Sequence, residues 1–159
     1  MSLCRSLAIA SVVMMLTGCS SVDDSKWLKD RKPVYQVNGK VTHKGTPLSG
    51  AAVAFRSGDA ANAIGAAGLT DAEGKFTLTT YETGDGAVEG RHVVTVAKSV
   101  VEGEDPSYFD EKSPNYGKTP PPTKVKSLIP TKYARPESSG LSAEVKKDGP
   151  NDITIELKD

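Results

Sequence analysis

Few residues in this chain have side chains that could do chemistry, and each has a definite position. The cysteines are Cys4 and Cys19, and both lie near the N-terminus in or just after an apolar run. The histidines are His43 and His92. So few thiols and imidazoles leave no ligand set for a structural or catalytic zinc. Two cysteines so close to one end cannot staple a domain, so the fold must rest on its hydrophobic core. Nucleophilic serine chemistry needs a base and an acid that orients it. His92 is the candidate base, in the run Arg91-His92-Val93-Val94-Thr95-Val96. No serine sits in a nucleophile-elbow pattern, and a histidine on a strand is expected at the surface or at a sheet edge. Asp71 and Glu73 beside Gly74 have acidic loop chemistry but too few oxygen ligands at fixed steps for a calcium loop. The sequence therefore calls for no metal and no cofactor.

The elements that carry these residues are short strands. From Ala66 to Thr79 the chain reads AAGLTDAEGKFTLT. Asp71 can accept from its own backbone two residues on, and Gly74 supplies a positive φ, so the stretch reads as a hairpin around Thr70–Gly74. Beyond the turn Phe76 and Leu78 share one face and Thr77 and Thr79 the other. The same alternation places Tyr35, Val37, Gly39 and Val41 together, then Ala51, Val53 and Phe55. Near the C-terminus it groups Leu141, Ala143 and Val145, then Ile153, Ile155 and Leu157. Arg91 to Val101 is the most apolar run and reads as one central strand, buried on both faces for part of its length. From Cys19 onward no segment shows sustained helical periodicity. The expected core is Val41, Val53, Phe55, Phe76, Leu78, Val94, Val96, Val145, Ile155 and Leu157. Short strands between Gly, Pro and Asp turns argue for an all-β sandwich with Greek-key connections.

Lys and Arg together number 20 and so do Asp and Glu. Without like-charge blocks, no global field selects nucleic acid. The N-terminal apolar run, Leu7 to Leu16, is short for a bilayer span and follows Arg5, as in a secretory signal. It ends Leu16-Thr17-Gly18-Cys19, which resembles the bacterial lipobox. That resemblance implies cleavage between Gly18 and Cys19, a diacylglyceryl thioether on Cys19, and an acyl chain such as palmitate on the new amine. It also implies membrane attachment in the cell envelope. Ser20 after the cysteine favours the outer membrane. The expected organisation is a signal peptide at 1–18, a lipidated tether at 19–33 holding Trp27 and Leu28, and a sandwich at 34–159.

A second resemblance lies in Gly39-Lys40-Val41, in Gly45-Thr46-Pro47-Leu48-Ser49-Gly50-Ala51-Ala52-Val53, in Thr70-Asp71-Ala72-Glu73-Gly74-Lys75-Phe76 and in Glu89-Gly90-Arg91-His92-Val93-Val94-Thr95-Val96. These pieces resemble the carboxypeptidase-regulatory-like domain over about Tyr35 to Lys98. The resemblance implies a seven-stranded, transthyretin-like (prealbumin-like) sandwich, and it is nearly silent on activity. Related pilin-type sandwiches form a Lys–Asn isopeptide bond, for which Lys40 and Asn151 are the matching candidates, although the usual acid-bearing motif is missing.

The stretch 102–139 is long for a connection within a small domain. It contains Pro120-Pro121-Pro122 and the aromatics Tyr108, Phe109, Tyr116 and Tyr133. It is expected to lie over one edge or end of the sandwich, with no regular structure beyond a short turn or strand. Its aromatics either pin it to the sandwich or form a surface for an envelope protein or a glycan. Tyr133, between Pro130 and Pro136, is expected to be the best anchored. Two functions follow. The first is a non-enzymatic, membrane-anchored lipoprotein acting as a binding or structural module. The alternative is an envelope hydrolase with His92 and loop residues in its site.

Overall fold

The computed structural model describes residues 31–58 and 64–159. Gly18, Cys19, Trp27 and Leu28 lie outside them. Lys32–Asp159 forms one compact unit. Along it run β1 (Val34–Tyr35), β2 (Val37–His43), β3 (Thr46–Pro47), β4 (Ala52–Ser57), β5 (Gly65–Leu69), β6 (Lys75–Thr77) and β7 (Ala87–Val88). They are followed by β8 (Gly90–Ala97), β9 (Ser99–Glu102), β10 (Lys124–Ser127), β11 (Leu141–Val145) and β12 (Asn151–Leu157).

The protein is an all-β sandwich. One sheet has the order β11-β8-β4-β5, and the other is built on β2, which pairs with β12 on one edge and with β6 and β3 on the other. Seven strands, β2, β4, β5, β6, β8, β11 and β12, carry the two faces. Short β3 and the two-stranded ribbons β1–β7 and β9–β10 are additions to the expected seven. Alternate side chains of both sheets meet in one core. All ten expected core residues are buried. The Phe55 ring of one sheet lies 6.3 Å from the Phe76 ring of the other.

One strand pairing differs from the sequence reading. The turn after β5 forms as expected: Asp71 Oδ1 accepts from Glu73 N–H (3.0 Å) and Lys75 N–H (2.7 Å), and Gly74 has φ +73°. Its two arms, however, join different sheets. β5 pairs with β4 and β6 with β2, so Ala67↔Thr79 is the one bridge between them. The element is a corner between layers rather than a hairpin. In addition, β12 runs parallel to β2, from Asn151↔Val37 to Leu157↔His43.

Asn151 begins that parallel strand with its amide fully engaged. Its Oδ1 accepts from Lys146 N–H (2.8 Å), and its Nδ2 donates to Gln36 O (3.2 Å) and Lys146 O (3.1 Å). Lys40 pairs with Thr154, three positions further along the strand, or about 10 Å away at the rise of a strand. The structure therefore does not bring Lys40 and Asn151 together for an isopeptide bond. The side chain of Asn151 closes the β11–β12 turn instead.

Between β6 and β7 the chain is held by Asp85. Its carboxylate accepts from the N–H groups of Thr80 (2.7 Å), Tyr81 (2.9 Å) and Glu82 (2.9 Å). Burial pushes the pKa of this carboxyl up, but the N–H groups of Thr80, Glu82 and Tyr81 outweigh it and hold the group below the usual Asp value. A carboxyl depressed on folding adds stability above its unfolded pKa of about 3.9 and loses it as pH falls through the lower folded value. Asp85→Ala is expected to cost about 2–3 kcal/mol at pH 7, since charge-assisted hydrogen bonds are lost. Urea unfolding at pH 7 and again near pH 3 checks this: the gap between parent and variant narrows in acid, and a gap independent of pH would exclude the charged bond.

Candidate functional site

β8 runs through Val94 and Val96 to Ala97 and then leaves the sandwich. The apolar run does not continue as one buried strand. Ser99–Glu102 pairs with Lys124–Ser127 in a separate antiparallel ribbon, in register from Ser99↔Ser127 to Glu102↔Lys124. All eight ribbon residues are exposed, so neither face is covered. Val101 faces Val125 across the ribbon, and Val125 is 73% exposed. Within β8 itself the burial alternates, with His92, Val94 and Val96 inward, so it too is not buried on both faces.

Beyond the ribbon, 103–123 forms a tip built from side-chain-closed turns. Asp105 Oδ1 accepts from Ser107 N–H (2.9 Å) and starts a 3-10 turn over Pro106–Tyr108. The backbone N–H and the hydroxyl of Ser107 together hold the Asp105 carboxyl below its usual pKa. Asp110 Oδ1 accepts from Lys112 N–H (3.0 Å), and Ser113 Oγ accepts from Asn115 N–H (3.1 Å). Asn115 Nδ2 then donates to Ser107 Oγ (3.0 Å), tying the second turn back to the first. Asp and Ser close such turns locally, without a core beneath them.

The four aromatics of the stretch separate into two roles. Phe109 is 77% exposed and Tyr116 52% exposed, on turns that the Ser107–Asn115 bond joins, with half-buried Tyr108 beside Phe109. Tyr133 is buried in the core, in a 3-10 turn over Thr131–Ala134. Its hydroxyl donates to Lys158 O (2.7 Å) and accepts from Lys158 N–H (2.9 Å). Tyr133 is therefore a pin for the returning chain and leaves the set of partner-facing residues. The stretch is also more regular than expected, with a strand, two 3-10 turns and a one-turn helix at Pro136–Ser139.

His92 is 1% exposed, on a strand flanked on both sides, rather than at a surface or edge. Its Nε2 bonds to Val88 O (2.8 Å) and its ring lies 5.9 Å from that of Phe55. Its Nδ1 has no hydrogen-bond partner among the described residues. His92 is among the residues lining a cleft of about 530 Å³, with Tyr35 and Arg91. From His92 to Lys98, where the ribbon leaves, is about 20 Å of strand. The structure thus does not place His92 and the tip aromatics in one site. Its burial was legible in the sequence, because His92 shares parity with Val94 and Val96. His43 sits at the end of β2, where its Nε2 meets Asp159 Oδ1 at 3.0 Å.

No family model matches the chain, and no curated protein is significantly similar to it. Among solved structures it resembles a 9R-lipoxygenase from Cyanothece PCC8801, with 12% identity and a TM-score of 0.37. It also resembles a candidate adhesin from Bacteroides ovatus ATCC 8483, with 18% identity and a TM-score of 0.40. The likenesses cover 79% and 91% of this chain but only 16% and 49% of those proteins. At these scores neither bears on function.

Proposed function

We propose that this chain is a non-enzymatic lipoprotein of the bacterial cell envelope, built on a carboxypeptidase-regulatory-like domain. It is held by acyl chains on Cys19 and presents the 103–123 tip to an envelope protein or a glycan. The observation that carries the binding reading is the exposure of Phe109 and Tyr116 on turns closed by their own side chains. The fold makes no use of these rings, and exposed aromatics grouped on a loop mark interaction surfaces. The anchor rests on Leu16-Thr17-Gly18-Cys19. Several acyl chains on one residue give firm attachment, at about 0.8 kcal/mol per buried CH₂. Outer-membrane sorting is the expectation from Ser20.

Cys19→Ala is expected to release the protein from membranes and to leave it without fatty acid. Mass spectrometry of the native N-terminus, with fractionation of cells making parent and variant, checks this. A free thiol on Cys19 of the membrane-bound parent would sink the anchor and leave the tip reading standing.

A further inference from the structure

We infer that the free edge of β9 pairs with β9 of a second copy of this chain, forming a continuous four-stranded sheet across a two-fold axis at Val100. This is independent of the lipid anchor and of the tip, and it uses a different surface from Phe109 and Tyr116.

The argument begins with backbone directions. Leu128 N–H donates to Lys98 O at 2.8 Å, extending the β9–β10 register by one hydrogen-bonded pair. Hydrogen-bonded and non-hydrogen-bonded pairs alternate in an antiparallel ladder. Lys98, Val100 and Glu102 therefore direct their N–H and C=O groups at β10, and Ser99 and Val101 direct theirs at the opposite edge. No strand pairs with that edge among the described residues, and all four residues of β9 are exposed. An open edge of this kind is a template for another strand.

Registers in which outward-facing residues oppose one another are those centred on a residue. Centring on Val100 sets Ser99 opposite Val101 of the second copy, and Val101 opposite its Ser99, giving four backbone hydrogen bonds between chains. It also sets Lys98 opposite Glu102 of the second copy, twice over, on the same face as the Val100–Val100 contact. The sequence Lys98-Ser99-Val100-Val101-Glu102 is thus its own charge complement when antiparallel. Shifting the centre to Ser99 loses both ion pairs, and shifting it to Val101 sets Lys98 opposite Glu104, which lies past the end of β9 and past the turn at Gly103, where φ is +89°. Glu102 already holds Lys126 at 3.1 Å, so its carboxylate would sit between two ammonium groups.

The other edge of the ribbon is protected. β10 carries Lys124 and Lys126 and follows Pro120-Pro121-Pro122, and lysine and proline are the usual guards of an open edge. β9 has neither charge nor proline at its centre. The contact is small, in the class of weak and transient associations, so it is expected to populate at high local concentration.

Opposite charges across a strand pair attract and like charges repel, so charge reversal provides the test. Sedimentation of the full chain in non-ionic detergent should show concentration-dependent dimers. Lys98→Glu alone and Glu102→Lys alone should each weaken dimerisation by about tenfold or more. Mixing these two variants should restore it, because each then presents the complement of the other. The chain carrying both substitutions should also dimerise like the parent. A parent that stays monomeric, single variants that associate as the parent does, or a mixture that fails to associate would each overturn the pairing.

Discussion

Phe76→Ala is expected to lower the unfolding free energy by about 3–5 kcal/mol, the range for removing an enclosed aromatic ring. Phe76 is 4% exposed and is the one buried side chain of β6, whose other residues, Lys75 and Thr77, point to solvent. Its ring meets Phe55 of the opposite sheet at a tilt of 53°. It also lies over Gly39, where a Cβ would come within 2.5 Å of its Cζ and of Ile153 O. The missing side chain of Gly39 is therefore space that the Phe76 ring fills. Without the ring, β6 keeps its short ladder to Asn38, Gly39 and Lys40, the Thr77–Asn38 side-chain bond (3.0 Å) and the turn bonds between Lys75 and Asp71, but no buried side chain. Urea denaturation with an unchanged slope would report the loss. A loss under about 1 kcal/mol would show that the surroundings close over the site and that the ring does not join the two sheets.

The same residue shows what was legible in the sequence. Alternation fixed the inward direction of Phe76 and Leu78, and of Val94 and Val96, because side chains on a strand repeat every two residues. It also fixed the turn, since Asp71 and Gly74 act within a few residues of themselves. It did not say which strand Phe76 would pair with. Partner choice is non-local, so β5 and β6 could look like a hairpin and still enter different sheets. Apolar character alone could not show that β8 ends at Ala97, because Val100 and Val101 continue the run without continuing the burial. Composition likewise could not separate Tyr133 from Phe109. Tyr133 is fixed by the backbone of Lys158, 25 residues further along the chain, whereas Phe109 stays exposed among the described residues.

If the 103–123 tip is the partner-facing surface proposed above, deleting Asp105–Pro122 is expected to abolish binding to an envelope protein or glycan while leaving the melting temperature nearly unchanged. Gly103 and Thr123 are adjacent at the end of the ribbon, with a Cβ built at Gly103 lying 3.9 Å from Thr123 Cα. The deletion leaves Gly103, Glu104 and Thr123 to join the pair Glu102↔Lys124. Three residues with a glycine make a common hairpin loop, and Gly103 already has φ +89°. The deletion removes no buried residue. The bonds Asp105–Ser107, Asp110–Lys112 and Asn115–Ser107 all begin and end within it. The shorter loop also costs roughly 1–2 kcal/mol less to close. If Phe109 and Tyr116 instead held the tip against the sandwich, their removal would lower the melting temperature and leave the partner bound. Thermal unfolding of the full chain and its deletion variant, together with a glycan array and envelope co-purification run on both, separates these outcomes. A partner retained by the deletion variant would place the binding surface elsewhere on the sandwich.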